Sequence, residues 1–266
     1  MSQYQASRPC VVCNNSTSIT HYCHLDNLDY VRCNTCGLIY VDKYAVDQDM
    51  YKAYTGGGLK SLRRKLMAPL RKMHHIKGYK HFSARANEIF SFANRFAAAA
   101  SKKTYLDIGC NKGFLLAEAA RMDYDVHGVE LVTELVRPFC NTFPAFSSQV
   151  YSDKFSKVAR NFSDGFFSLI TAIDVVEHFE DPLQDMQNIC RILDDRGAFV
   201  IQTPDINCQQ AKELGCNWGA LKPLEHLNLF GAENFTSFAR HAGFSQVEIF
   251  PAFEEADGNF VAVLKK

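Results

Sequence analysis

The sequence predicts an α/β protein, a mostly parallel sheet covered on both faces by helices, with a small metal-binding module ahead of it. Three observations carry that expectation. Strand-like and helix-like segments alternate from Thr104 onward, "YLDIGCNKGF" breaks from strand through a glycine-containing turn into helix, and two tight cysteine pairs stand near the N-terminus. Strands separated by helical crossovers pair in parallel, and a sheet built that way needs cover on both sides. With 266 residues and 47% hydrophobic content, the chain can bury a core in one large domain beside a small accessory one.

The cysteine pairs are Cys10-Val11-Val12-Cys13 and Cys33-Asn34-Thr35-Cys36, separated by nineteen residues. Each pair can form a knuckle that supplies two thiolates, and two knuckles close a tetrahedral site around a zinc ion. His21, Cys23 and His24 lie between them as alternative ligands without paired spacing. A closed four-thiolate site leaves no open position for water. The Zn2+ is therefore expected to be structural, standing in for the apolar core that so short a segment lacks. The other six cysteines are scattered, which fits a reducing compartment rather than a disulfide framework. The opening MSQYQASRP holds no apolar signal-peptide core, and no run approaches the roughly 18 apolar residues of a membrane span. A cytoplasmic protein without a transmembrane segment is the expectation.

A net charge of zero conceals a segregated distribution. From Met50 to Asn87 there is no Asp or Glu, while Lys52, Lys60, Arg63, Arg64, Lys65, Arg71, Lys72, Lys77, Lys80 and Arg85 supply ten positive charges. Leu59, Leu62, Leu66, Leu70 and Met73 recur at helical spacing, interrupted by Pro69. Such a face is either simply solvated or attracts an anionic partner: a substrate pyrophosphate, RNA or, by peripheral contact, a membrane surface. Gly56-Gly57-Gly58 reads as a flexible joint, and His74, His75 and His81 as parts of the basic surface. The expected division is a zinc-binding module at 1–48, a basic helical connecting segment at 49–103 and the main domain at 104–266.

In the main domain, Tyr105–Ile108, Asp125–Glu130, Ser168–Ile173, Ala198–Thr203, Val247–Phe250 and Asn259–Leu264 read as strands. Phe114–Met122, Leu131–Cys140, Leu183–Leu193 and Glu233–Ala242 read as helices, with Pro138 disturbing the end of the second. A ligand belongs at the carboxyl ends of such strands. Gly109 and Gly113 bracket the sharp turn after the first of them, and Asn111 is a tolerable occupant of a left-handed position. Glu130 ends the second strand, where a carboxylate can accept hydrogen bonds from ribose hydroxyls. NAD and S-adenosyl-L-methionine both carry an adenosine that this pairing of loop and carboxylate can hold.

The run Leu106-Asp107-Ile108-Gly109-Cys110-Asn111-Lys112-Gly113 resembles motif I, D-x-G-x-G-x-G, of class I S-adenosylmethionine-dependent methyltransferases. The likeness extends through "FSLITAIDVVEHFEDPLQDMQNICRILDDRGAFVIQTPD" and "EHLNLFGAENFTSFARHAGF", covering roughly Thr104 onward. It implies a Rossmann-like seven-stranded methyltransferase sheet over 104–266, closed by an antiparallel hairpin around Asp257-Gly258, with S-adenosyl-L-methionine as cofactor. Asp107 is then implied to organise the methionine end and Glu130 to hold the ribose. Gly109, Cys110, Asn111, Gly113, Phe114, Leu131 and Asp174 complete the implied contacts. More narrowly, a cysteine-paired segment ahead of "DIGCNKG" is similar to bacterial methyltransferases of sugars and other small metabolites, including nucleotide-sugar C-methyltransferases. Their loop often reads G-x-N-D-G, which suits Asn111; Lys112 departs from it.

Methyl transfer requires donor and acceptor in line and, for a weakly acidic acceptor, a group that removes its proton. His178 in "AIDVVEHFEDP", just beyond the fourth strand, is the first candidate base, with Asp174 and Glu177 near enough to orient it. A purely structural role in the turn is one alternative; binding of a divalent ion by Glu177 and His178, as a resemblance to quinone O-methyltransferases implies, is another, although two adjacent residues do not specify a metal site. His226 in "PLEHLNLF" is the second candidate, on a loop expected to reach the pocket with Trp218. Tyr151 either flanks the adenine or is an ordinary half-buried tyrosine. Three functions follow in order. The first is methylation at oxygen or carbon of a small-molecule acceptor such as a sugar, nucleotide sugar or lipid-linked glycan. The second is an RNA methyltransferase gripping phosphates with its zinc module and basic segment. The third is a non-catalytic zinc-containing interaction protein. Sparse aromatic interleaving in the basic stretch weighs against RNA, and the retained loop, Glu130 and "DVVEH" weigh against a silent domain.

Overall fold

The computed structural model describes residues 8–43, 83–97, 100, 102–254 and 258–266. Most of the basic stretch, with Gly56-Gly57-Gly58, His74, His75 and His81, lies outside the described residues.

Strands β1 (Ile19–Leu25) and β2 (Leu28–Cys33) form a hairpin whose two-residue turn, Asp26-Asn27, has φ of 51° and 61°. Two consecutive left-handed residues match the twist of the flanking strands, and Asp and Asn enter that region at modest cost. Strand β3 (Ile39–Val41) pairs antiparallel with β2 after a tight cysteine turn, in which Cys33 N donates to Leu38 O at 2.9 Å and Gly37 N to Cys33 O at 2.8 Å. The fourth strand of this sheet comes from far along the chain. Strand β9 (Asn228–Leu229) pairs with β3, Leu229 opposite Ile39 and Asn228 opposite Tyr40.

The main unit opens with helix α1 at residues 83–94. Strand β4 (Thr104–Ile108), helix α2 (Phe114–Arg121), strand β5 (Asp125–Val129), helix α3 (Thr133–Thr142), strand β6 (Val150–Tyr151) and helix α4 (Phe155–Val158) form its first half. Strand β7 (Phe167–Ile173), helix α5 (Pro182–Ile192), strand β8 (Leu193–Pro204), helix α6 (Gln209–Leu214), helix α7 (Ala232–His241) and strands β10 (Gln246–Pro251) and β11 (Asn259–Lys265) form the second. The seven-stranded order is β10-β11-β8-β7-β4-β5-β6. From β8 to β6 the strands are parallel, whereas β11 runs antiparallel to β8 and β10, the terminal hairpin expected around Gly258. Because the chain builds outward from β4 to β6 and then returns to β7, crossovers diverge between β4 and β7. That switch point opens a crevice at the strands' carboxyl ends.

Two boundaries differ from expectation. Strand β8 begins at Leu193, where Leu193 already pairs with Phe167, so the helix-to-strand change has no loop. Helix α3 runs through Pro138 to Thr142 instead of being disturbed there. Proline removes only its own N–H from the ladder, and the next turn is retained by Phe143 N bonded to Phe139 O at 2.8 Å.

The layers are covered unequally. On one face Cys10, Leu38 and Tyr40 share a continuous core with Phe199, Phe235 and Phe244. The other face packs Ala86, Ile89, Phe90 and Ala93 of α1 against Leu116 and Val136. A third cluster joins Tyr30, Leu229 and Trp218. Residues 8–43 therefore share both a sheet and a core with the main unit. No helix among the described residues is long and apolar enough to cross a membrane.

Candidate active site

Beyond β4 the backbone turns through three left-handed residues, Gly109 (φ 73°), Asn111 (φ 47°) and Gly113 (φ 73°). A Cβ on Gly109 would stand 2.5 Å from Val175 Cγ2, and one on Gly113 2.5 Å from Phe139 Cβ, so space as well as dihedral demands glycine at both. Gly109 N and Cys110 N both donate to Val129 O, at 2.8 and 3.0 Å, which ties the turn to β5. Glu130 closes it: Oε2 accepts from Asn111 N at 2.8 Å and Oε1 from Val132 N at 2.9 Å. Each oxygen keeps a further lone pair for a ligand.

A cavity of ≈ 520 Å³ opens over this turn and the ends of β5 and β7, a volume typical of small-molecule sites. Gly109, Asn111, Glu130, Leu131 and Asp174 belong to its wall, as do His178 and His226. Asp107, Cys110, Gly113 and Phe114 do not. Asp107 is buried beneath, where its Oδ1 accepts from Thr171 Oγ1 at 2.6 Å and desolvation, with some repulsion from Glu130, raises its carboxyl to about 7. Asp174 sits on the wall at φ 56°, a left-handed conformation held by neighbours: its N donates to Gln202 O at 2.8 Å, and its Oδ1 accepts from Gln202 Nε2 at 3.1 Å and Asn259 Nδ2 at 3.2 Å.

The histidines arrive from two segments. His178 ends a single 3-10 turn, Val176–His178, directly after β7, and His226 leads into β9. Their rings lie 4.9 Å apart at 70°. His178 Nδ1 meets Glu225 O at 2.7 Å and His226 Nδ1 meets Ala220 O at 2.8 Å. A carbonyl only accepts, so His226 Nδ1 carries a proton and its Nε2 presents a lone pair, whereas the His178 ring also faces the backbone carbonyl of Asp174. Burial lowers the basicity of both imidazoles, that of His226 to about 3 with His178 contributing, and keeps them neutral near pH 7. Glu177 lies underneath, 1% exposed, with Oε2 accepting from Thr203 Oγ1 at 2.9 Å and Oε1 3.9 Å from His178 Nε2. Its backbone O accepts from Leu227 N at 2.8 Å, which joins the two histidine-bearing segments.

This arrangement, a glycine turn closed by the Glu130 carboxylate on a seven-stranded mixed sheet, can be compared with known proteins. Residues 79–249 match the family described as Methyltransferase domain. The chain belongs to that family. Its fold is shared with a SAM-dependent methyltransferase from Archaeoglobus fulgidus, at 13% identity over 68% of this chain and 94% of that one, with a TM-score of 0.53. A SAM-dependent methyltransferase from Thermotoga maritima aligns at 15% identity over 74% and 97% of the two chains, with a TM-score of 0.50. A search of curated proteins returns no match.

The protein is thus an S-adenosylmethionine-dependent methyltransferase, and the cleared backbone at Gly109 and the fixed lone pairs of Glu130 fit that cofactor. The other expected residues divide. Trp218 is buried with its Nε1 donating to Gln210 Oε1 at 3.3 Å, and Tyr151 stacks on His127, so neither is part of the cavity wall. Lys154, Asp185 and Lys222 are wall residues that sequence reading missed. The signal for Asp185 was the helix start "EDPLQD", where Asp181 accepts from Gln184 N and the next acid falls one turn in. Desolvation there raises the Asp185 carboxyl to about 7. In the N-terminal segment, Cys10, Cys13, Cys33 and Cys36 converge with all four sulfurs within 4.8 Å of one another. The Cys10–Cys36 and Cys13–Cys33 separations, 3.3 and 3.4 Å, are far beyond a bonded pair at about 2.05 Å. His21 and His24 turn instead to Asp29, at 3.3 and 2.7 Å.

Two predictions follow from this geometry. Glu130→Ala removes the acceptor for both a ligand hydroxyl and Asn111 N, so S-adenosylmethionine affinity should fall roughly 10- to 100-fold, the equivalent of one charge-assisted hydrogen bond. Calorimetry on the folded variant checks this, and unchanged affinity would remove Glu130 from the cofactor site. Burial, reinforced by Asp174, raises the Glu177 carboxyl to about 8. A raised folded value means that its contribution is full below the unfolded carboxylate range and is lost as pH climbs through about 8. The neutral Glu177→Gln should therefore gain thermal stability relative to wild type between pH 6.5 and 9; a pH-independent difference in melting temperature would contradict it.

Proposed function

We propose that the protein methylates oxygen or carbon of a small polar acceptor, a sugar, nucleotide sugar or lipid-linked glycan, with His178 as general base and His226 beside it. The observation that carries this reading is the pair of imidazoles on the cavity wall, 4.9 Å apart and next to the glycine turn. Bound S-adenosylmethionine supplies an activated methyl group. The Glu130 carboxylate and the glycine turn would hold it, with Asp174 beside them on the wall, and the His178 imidazole would take the proton that the acceptor loses. We read the four cysteines as a structural zinc site: the four sulfurs crowd together, and a closed thiolate set holds zinc tetrahedrally. Because the knuckles face a core shared with the main sheet, a role in shaping the small-molecule site is favoured over a protruding arm for RNA.

His178→Ala should keep its fold and cofactor affinity while slowing methyl transfer ~10²–10⁴-fold, the usual contribution of a positioned base. Mass spectrometry of hydroxylated acceptors, reading the gain of one methyl group, supplies the substrate, and single-turnover kinetics then tests the variant. A near-normal chemical step would move the role to His226. For the metal, one zinc per chain is expected. Its chelation should raise amide exchange in residues 8–43 and 226–230 while the turn at 106–113 stays protected, since only the former segments pair with the knuckles. Metal-free protein with unchanged exchange in 8–43 would defeat the assignment.

A further inference from the structure

Arg8 stands two residues before the first cysteine knuckle, and its guanidinium reaches three segments at once. Nε donates to Val41 O at 3.1 Å, at the end of β3. Nη2 donates to Leu227 O at 2.8 Å and to Asn228 Oδ1 at 2.9 Å, immediately after His226. Nη1 approaches Glu180 O at 3.5 Å, two residues past His178. The stem is fixed as well, with the guanidinium carbon 5.2 Å from the Tyr40 ring centre and Tyr40 OH donating to Arg8 O at 3.3 Å.

Neighbouring bonds extend this junction to the histidines. Tyr30 OH donates to His226 O at 2.7 Å, so the peptide carrying that histidine is held by β2. Asn228, fully buried, passes the connection across the site by donating Nδ2 to Phe179 O at 2.8 Å, directly after His178. Leu227 O is shared between Val41 N at 3.0 Å and Arg8, while Leu227 N serves Glu177 O. A planar fork with five donors can serve several acceptors together in fixed directions, which a lysine ammonium on a flexible stem cannot.

We propose that Arg8 is a positioning residue for the acceptor side: it sets the spacing of His178 and His226 from the N-terminal module, leaving the cofactor turn untouched. The inference rests on the reading of these histidines as acceptor-side groups. It makes the cysteine site part of the active site's support, because the knuckle that begins at Cys10 fixes where Arg8 can reach.

The test uses the full chain with S-adenosylmethionine present and ring-labelled histidine, with the signals of His178 and His226 assigned from their alanine variants. Arg8→Ala should shift or broaden both signals and leave that of His127, buried on β5, in place, while S-adenosylmethionine affinity changes less than about twofold. Millimolar guanidinium, too dilute to denature, should restore the two signals by refilling the site. Unchanged His178 and His226 signals would overturn the proposal. So would equal disturbance of His127 and cofactor binding, which marks a purely structural staple. If Arg8→Ala fails to fold, Arg8→Lys carries the same test, with displaced histidine signals expected because the fork is lost and unchanged signals overturning the idea. A displaced ring pair combined with a catalytically silent His178→Ala would retire the base assignment and keep the role of Arg8.

Discussion

Asn228 and Leu229 pair with Tyr40 and Ile39, and the placement of His226 beside His178 depends on that two-residue ladder. Strand β3 is three residues long and would present an unpaired edge without β9. Once the ladder forms, it delivers a fully buried amide, Asn228, into a place where both ends of the side chain are satisfied, by Arg8 and by Phe179 O. A buried amide without partners would cost several kcal/mol, roughly 1–3 by mutational measure. The pairing is therefore specific in register: a one-residue slip would strand Asn228 and turn His226 away from His178.

The chemistry that this scaffold supports is set by dryness. Asp107, Glu177 and Asp185 are all pushed toward neutrality by burial, and both histidines are held neutral for the same reason. Methyl transfer moves positive charge off the donor, so a floor of ionised carboxylates would hold that charge back. Neutral carboxyls and neutral imidazoles oppose its departure less, and a neutral imidazole remains able to take a proton. Glu130, by contrast, stands on the cavity wall with its carboxylate held by two backbone N–H groups.

The glycine turn and its tie to Glu130 were legible in the sequence because their signals are local. Gly109, Asn111 and Gly113 need left-handed backbone within one turn, and Glu130 ends the next strand, so spacing alone located them. Asp107 and Cys110 were expected at the ligand and instead lie beneath the turn, because strand alternation sends Asp107 away from the crevice toward Thr171. The acceptor half was only partly legible. His178 and His226 could be named as residue types near strand ends, but their contact, and the neutrality that burial imposes, belong to tertiary packing. Strand β9 and the role of Arg8 left no trace at all. Two residues carry no periodicity, and an arginine ahead of a cysteine pair reads as surface until the partner carbonyls are known.

The same division has an energetic side. The bond that shapes the cofactor turn, Asn111 N to Glu130, spans 19 residues, whereas Arg8 to Leu227 spans 219. Loop-closure entropy grows with the logarithm of separation, so the longer contact costs roughly 2 kcal/mol more to close. The cofactor turn can form with its own βαβ unit. The acceptor side waits for opposite parts of the chain to meet, and it rests on a three-residue and a two-residue strand joined by side-chain bonds to Arg8, Tyr30 and Asn228. The zinc proposed for the adjacent knuckles would ease that closure, since holding Cys10 and Cys33 together would bring Arg8 and β3 to it as one unit.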